Sequence, residues 1–309
     1  MKIPLVNDFE ETFDDPVWTA AAKYIFHSHG IKFKELRRAE HGENIVFLID
    51  DAFVLKIYTP KKNGPIREET GLKFAKGRTP LPVPHIVDAG NLDGFDYLIT
   101  DHLKGRMMSR PEWLSLSHGA QIAILTQLAI GLKELHSHQP AGIHFDWYEF
   151  IEIQVESVID RQREAGGNPE WLESIPKYLD EHMHLLPKHP PDVFMHGDVH
   201  FCNLLFTDDA ERPVVSGLFD FADSLKGCYE YEFVAIGVLM MQGQGDLQQE
   251  FFRAYGYRDA DIDIGLRRRM MLLTILYEHS SLKRYAARLG PGAENLTLDE
   301  LERAIWNFI

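Results

Sequence analysis

The period of the hydrophobic pattern changes once along this chain, near residue 106, and that change limits the fold more than any other feature. Before it, apolar residues run in short blocks of strand length. Asn44-Ile45-Val46-Phe47-Leu48-Ile49 and Phe53-Val54-Leu55-Lys56-Ile57-Tyr58 flank an Asp50-Asp51 turn, which predicts a hairpin. Residues 17–29 read as an opening helix closed by Gly30, and 31–36 as a short strand. Residues 66–75 read as a helix stopped by Gly77, and 97–100 as a further strand, with Pro80, Pro82 and Pro84 marking an extended connector. Beyond the change, Ile122, Leu125, Leu128, Ala129, Leu132 and Leu135 recur at helical spacing. Further helices are expected over 150–159, 171–184, 231–241, 266–285 and 298–308, and strands only over 204–206 and 213–219. The expectation is an α+β chain: a small strand-rich lobe over residues 1–101, a large mostly helical lobe over 102–309, and a binding cleft between them.

Charge and composition exclude several classes of function. The net charge of −15, from 32 basic and 47 acidic residues, repels nucleic acid and anionic membranes and suits a cationic or neutral small substrate. Solubility alone is the plainer account of the same charge. Two cysteines, Cys202 and Cys228, supply no disulfide framework, so a reducing cytoplasm is expected. The first ten residues carry one lysine and a very short apolar run, unlike a signal peptide, and no apolar stretch approaches bilayer length.

The residues that carry chemistry cluster at His196-Gly197-Asp198-Val199-His200-Phe201-Cys202-Asn203 and Asp220-Phe221-Ala222-Asp223. Short apolar runs at 193–195 and 204–206 bracket the first segment, so its polar residues sit in a loop between buried segments. Phosphoryl transfer from a nucleotide needs an acid to accept or orient the hydroxyl proton, and hard oxygens to hold Mg²⁺ against the phosphates. Asp198 suits the first task. Asn203 and Asp220, the latter at a strand end, suit the second, because octahedral Mg²⁺ keeps several waters and takes few protein ligands. Asp223 can assist as an outlying acid or cap the following helix. Lys56 is the lone basic residue of an apolar strand; it either contacts nucleotide phosphates in the cleft or lies exposed on a two-sided strand. Glu68 or Glu69 can pair with it, and Glu68 is preferred because it shares a helix face with Leu72 and Ala75. Gly42 in His41-Gly42-Glu43-Asn44 lets backbone approach phosphate or simply turns the chain. The backbone of Asp101-His102-Leu103 lies where it can meet an adenine edge. His196 and His200 stand four apart, but Gly197 and the missing helical pattern argue against a zinc pair on one helix face. Cys202 is expected to be packed rather than nucleophilic.

H-G-D-x-x-x-x-N at 196–203 and D-F-x-D at 220–223 resemble the aminoglycoside phosphotransferase family, the kinase-like small-molecule phosphotransferases that include antibiotic, choline, homoserine and fructosamine kinases. Lys56 with Glu68, and the 97–106 segment, fit the same pattern. The resemblance spans roughly residues 35–240. It implies a bilobal protein-kinase-like fold and Mg²⁺-dependent transfer of the γ-phosphoryl group of ATP or GTP to a hydroxyl. In that frame Asp198 is the catalytic acid–base residue, Asn203 and Asp220 hold the metal, and Lys56 contacts phosphate. Where relatives often carry Gly-Asp-Pro and then Asp-Leu, this chain has Gly227-Cys228-Tyr229 and then Glu232-Phe233. Between Asp146 and Asp192, 11 acidic residues face four basic ones. Asp146, Glu149, Glu152 and the Asp259-Asp261-Asp263 run can bind ammonium groups and Trp147 can stack on a sugar or cation; solvated helix faces are the plainer alternative. The acceptor expected is a small hydroxylated amine, aminoglycoside-like first, with a metabolic kinase or a catalytically silent kinase-like binding module as alternatives.

Overall fold

The computed structural model describes residues 16–39, 43–59, 64–207 and 213–309; the turn expected at Gly42 lies outside them. In the N-terminal part, β1 (Leu36–Arg38), β2 (Ile45–Ile49), β3 (Phe53–Ile57), β4 (Ile86–Leu92) and β5 (Phe95–Asp101) form one antiparallel sheet in the order β1-β2-β3-β5-β4. The β2–β3 hairpin closes as expected: Asp50 and Asp51 both take positive φ near 50°, and the Ala52 N–H returns to the Ile49 carbonyl at 2.8 Å. Ile45, Phe47, Ile49, Leu55, Ile57 and Ile99 point to one face and are covered by Trp18, Ala22, Ile25 and Phe26 of α1 (Pro16–Ser28). Lys56 alternates with Leu55 and Ile57, so strand geometry sends it to the opposite face. That face meets α2 (Gly64–Ala75), which carries Glu68.

Two local expectations shift. The strand read at 31–36 lies at Leu36–Arg38, because the Asp50 carboxylate takes the Lys34 and Glu35 N–H groups at 2.6–3.0 Å in place of a ladder partner. The connector after Pro84 runs into β4, a sheet edge whose mostly exposed side chains leave no hydrophobic alternation to read; only the Asp93-Gly94 turn marks it.

The helical part is built on α4 (His118–His136), whose Leu125, Leu128, Leu132 and Leu135 are buried as the periodicity requires. It follows α3 (Arg110–Ser115) and precedes α5 (Trp147–Glu164) and α6 (Pro169–His182). Two small antiparallel pairs then frame the site: β6 (Val193–Met195) with β9 (Leu225–Gly227), and β7 (Leu204–Phe206) with β8 (Val215–Leu218). α7 (Phe233–Ala235) runs on as a π-helix over Ile236–Met241, followed by α8 (Gly245–Tyr255), α9 (Ile264–Leu276), α10 (Leu282–Leu289) and α11 (Leu298–Ile305). α8 was not foreseen.

The single helix expected over 266–285 is in fact two. Tyr277 takes extended backbone (φ −60°, ψ 131°), and Ser281 caps α10 by accepting the Arg284 N–H. Buried side chains hold the break open: the Tyr231 hydroxyl accepts the Glu278 N–H at 2.9 Å and Gln162 accepts the Leu282 N–H at 3.0 Å. Apolar spacing cannot report such a break, since its cause lies on distant segments. Among the described residues no helix is long and apolar enough to cross a membrane.

Candidate active site

Four pieces of chain converge: β3, α2, the 196–203 loop with the end of β8, and the 277–281 break. β6 leads into the loop from a buried strand, and β7 leads out of it. The turn between them needs Gly197 at φ +89°, where an added Cβ would lie 2.3 Å from the Asp223 carbonyl. Glu232, fully buried, accepts the His196 N–H at 2.7 Å and the Gly197 N–H at 2.9 Å, one on each oxygen. The residue that departs from the family pattern thus keeps a carboxylate under the loop backbone. His196 Nδ1 takes the Asp198 N–H at 3.2 Å, so Nε2 carries the proton and donates to the Phe219 carbonyl at 2.9 Å. With both ring nitrogens engaged, His196 is a scaffold residue. The Phe219 N–H donates to the Asn203 carbonyl at 3.1 Å, which brings the end of β8, and Asp220 with it, beside Asn203.

Asp198 has both carboxylate oxygens occupied. The Tyr277 hydroxyl lies 2.9 Å from Oδ1 and 3.0 Å from the Gly197 carbonyl; His200 Nε2 lies 3.2 Å from Oδ2, and Asn203 Nδ2 donates to that oxygen at 3.0 Å and to the Asp198 carbonyl at 2.8 Å. Burial favours the neutral acid, but the hydrogen bonds from His200 and Tyr277 prevail and hold Asp198 well below the usual carboxylate range. Burial lowers the proton affinity of His200, yet its bond to Asp198 outweighs burial and pushes it up to about 9. A contact from the Cys202 N–H to His200 Nδ1 opposes that charge, but at 3.2 Å it is weak beside a charge pair. Burial keeps the Tyr277 hydroxyl protonated, hence a donor.

From the sheet, Lys56 Nζ lies 2.7 Å from Glu68 Oε2 and 2.6 Å from Asp220 Oδ1. Burial lowers its proton affinity, but Glu68 and Asp220 more than restore it, so the ammonium stays charged. Glu68 is therefore the partner among the two candidates; Glu69 pairs with Lys73 at 2.6 Å instead. Burial pushes Glu68 upward despite Lys56, and the Tyr58 hydroxyl donates to it at 2.6 Å. α2 sits directly on the segment after Asp220: a Cβ on Gly71 would lie 2.9 Å from Ser224 Oγ and 3.0 Å from Phe221 Cβ. Asp220 itself takes φ +65°, a left-handed backbone that aims its side chain away from the β8 line.

The break between α9 and α10 contributes residues that the motif reading missed. His279 Nε2 lies 3.5 Å from Asp223 Oδ2, and each stabilises the other's charge against burial. Burial raises the proton affinity of the neighbouring Glu278, whose Oε1 has no hydrogen-bond partner. Tyr277 and Glu232 were likewise absent from the sequence list.

The other candidates divide. Asp101 spends its carboxylate on its own strand end, accepting the His85 N–H at 2.6 Å, whereas Leu103 makes no backbone hydrogen bond among the described residues. Asp146 caps α5, accepting the Tyr148 and Glu149 N–H groups at 2.9 and 3.1 Å. Glu149 lies exposed in that first turn. Trp147 is 6% exposed, edge-on to Tyr231 at 5.5 Å, so packing covers the ring expected to stack on a ligand. Of the acidic run, Asp259 pairs with Arg253 and Asp261 with Arg258, both at 2.7 Å, and Asp263 caps α9. Cys202, expected to be packed, is exposed, because the loop turns outward there.

The sequence pattern of the phosphotransferase enzyme family matches residues 35–273. The chain belongs to that family. No curated protein matches it. Solved structures share its fold. The GDP and kanamycin complex of APH(2")-IIia aligns at a TM-score of 0.69 with 16% identity, covering 96% of this chain and 100% of that one. The streptomycin-ATP-APH(2")-IIa ternary complex aligns at 0.58 with 18% identity, covering 89% and 97%. Aminoglycoside phosphotransferase APH(3'')-Id from Streptomyces rimosus aligns at 0.59 with 18% identity, covering 84% and 98%. At these identities the likeness speaks to the fold: a kinase-like α+β architecture with a strand-rich N-terminal sheet and a mostly helical remainder.

Proposed function

We propose that this chain transfers the γ-phosphoryl group of ATP or GTP, with Mg²⁺, to a hydroxyl of a small amine-bearing molecule, an aminoglycoside-like compound being the leading class. The observation that carries the reading is the convergence of Asp198, Asn203 and Asp220 at one cleft, with Lys56 reaching Asp220 from the opposite part of the chain. Asp198, ionised and held from two sides, orients the acceptor hydroxyl and takes its proton as the bond to phosphorus forms. Lys56 moves from Asp220 to the nucleotide phosphates while Glu68 keeps hold of it. Asn203 uses Nδ2 on Asp198, which leaves its side-chain oxygen for a metal, and Asp220 adds a second hard oxygen. Among the described residues no group of three His, Cys, Asp or Glu forms a free-standing metal cage, which suits an ion that arrives with nucleotide phosphates. When bound, Mg²⁺ neutralises phosphate charge. Leu103, with its backbone free, is the residue we assign to the adenine edge, on the border between lobes set at 101/102; a cytoplasmic site of action goes with the same reading.

A metabolic kinase acting on a choline-, homoserine- or fructosamine-like acceptor is the second reading. It is favoured by the pairing of Asp259 and Asp261 with arginines and by the capping role of Asp146, which leave fewer free acids for a polycation. One experiment separates the readings: a thermal-shift screen with Mg²⁺ and a nonhydrolysable nucleotide over aminoglycosides, choline, homoserine and fructosamines, followed by coupled ADP release with ATP and GTP. Stabilisation by nucleotide, with one acceptor class turned over, is the expected result. Nucleotide binding without turnover of any hydroxylated compound identifies a silent binding module, and no nucleotide binding at all overturns the proposal.

A further inference from the structure

Next to the catalytic loop, this acidic chain gathers arginines that no carboxylate among the described residues neutralises. Arg284 and Arg288 stand four residues apart on α10, hence on one helix face. Arg110, at the start of α3, reaches the Arg288 carbonyl at 3.4 Å and Gln242 Oε1 at 2.8 Å. Nε and Nη1 of Arg288 are buried without a hydrogen-bond partner. After burial, Arg110 and Arg284 are the charges that most depress the proton affinity of Arg288, and Cys202 of the catalytic loop lies near enough to act on it too. Cys202 is exposed and directly precedes Asn203. Arg284 donates to the His279 carbonyl at 3.0 Å, and His279 faces Asp223. The arginines therefore continue the same wall that the 277–281 break begins. Like charges packed together, with guanidinium donors left unmade, cost stability, and the Arg284 guanidinium over the Tyr285 ring at 5.6 Å offsets only part of that cost.

We propose that Arg110, Arg284 and Arg288 bind an oxyanion, a carboxylate or phosphate, beside the catalytic loop. Guanidinium forks match the two oxygens of such groups, and an oxyanion at the exposed edge of the cluster, where Arg284 lies, screens three like charges at once. Its source is either the acceptor's own anionic group or free phosphate; the acceptor case rests on the phosphotransferase reading, the free-anion case does not. In the first case the acceptor is a hydroxylated acid or a zwitterion rather than a pure polycation.

The full chain is compared with Arg288→Met and with Arg284→Gln, the latter at an exposed position. Calorimetry with inorganic phosphate, and coupled ADP release with glycerate against glycerol, read the two sources, while Mg·ADP affinity serves as the control. Phosphate affinity is expected to fall about 10- to 100-fold in Arg288→Met and less in Arg284→Gln, with Mg·ADP binding unchanged. A preference for glycerate over glycerol that vanishes in Arg288→Met assigns the site to the acceptor; an Arg288-dependent phosphate affinity without that preference assigns it to a free anion. If wild-type chain fails to bind Mg·ADP while phosphate still depends on Arg288, the kinase reading falls and the anion site stands. Equal phosphate and glycerate behaviour in wild type and Arg288→Met overturns the proposal.

Discussion

Two charged centres meet at the candidate site, and they are built on opposite plans. The Lys56 centre spans the two parts of the chain: one ammonium on β3 is held by Glu68 of α2 and by Asp220 after β8, with Tyr58 beside the first pair. The Asp198 centre lies within the helical part and is fixed from every side, by Tyr277, His200 and Asn203 on the carboxylate and by Glu232 under the backbone. A centre built on one flexible ammonium between two carboxylates can trade one partner for another when a phosphate enters. A centre held by directed hydrogen bonds keeps its geometry through the reaction. In the proposed reaction the first is the part that moves and the second the part that waits.

Substitutions can break this contrast, and the largest expected effect is at Asp198. Asp198→Ala should lower kcat by about 10²–10⁴ while nearly sparing nucleotide affinity; kcat near wild type in steady-state assays would remove Asp198 from the mechanism. Lys56→Met should instead raise the nucleotide KM and destabilise the fold by up to about 3 kcal/mol in denaturant titration, the loss being moderated because Glu68, already raised by burial, can take a proton. An unchanged nucleotide KM would mean that Lys56 only joins the two parts. Tyr277→Phe should cost about tenfold in kcat. It should also move the acid limb of the pH–rate profile to higher pH, since the lost hydroxyl helped to keep Asp198 ionised. A fall in stability without that shift would make Tyr277 a packing residue.

The smallest effect is a pH dependence of stability in metal-free protein, from the Asp198–His200 pair. Asp198 is depressed in the folded state, so its contribution is present above its unfolded value and lost as pH falls through the folded one. His200 is raised to about 9, so its contribution is complete below the unfolded value, near 6.5, and lost as pH rises through about 9. His200→Gln should therefore destabilise most at pH 5–6 and hardly at all above about pH 9.5. A difference that stays constant across that range would show that the ring acts uncharged.

The two centres also differed in how far sequence could reveal them. Asp198, Asn203, Asp220 and Lys56 each sit on or beside a short apolar strand, so local pattern located them. Glu68 followed from helix-face spacing, because both ends of its contact lie within a dozen residues. Tyr277 meets Asp198 across 79 positions and depends on a helix break that the Tyr231 hydroxyl and Gln162 impose from elsewhere. Glu232 was visible only as a departure from the family pattern, and its two backbone bonds span 36 and 35 positions. Trp147 and Asp146 stay ambiguous for another reason: an aromatic and an acid at a helix start read equally well as ligand-binding or as packing and capping, and in the structure Asp146 caps α5 while Trp147 packs on Tyr231.

The break between α9 and α10 also gives the molecule an exchangeable cassette. The flanking helices start on their own caps, α9 on Asp263 and α10 on Ser281, so neither relies on the Glu278 or His279 side chain to begin. Those two side chains border Asp198 and Asp223 without belonging to the motif that carries them. In the proposed reaction, a library confined to positions 278 and 279 is expected to change which acceptor fits, and exchanging His279 also removes a charge that helps to hold Asp198 and Asp223 ionised.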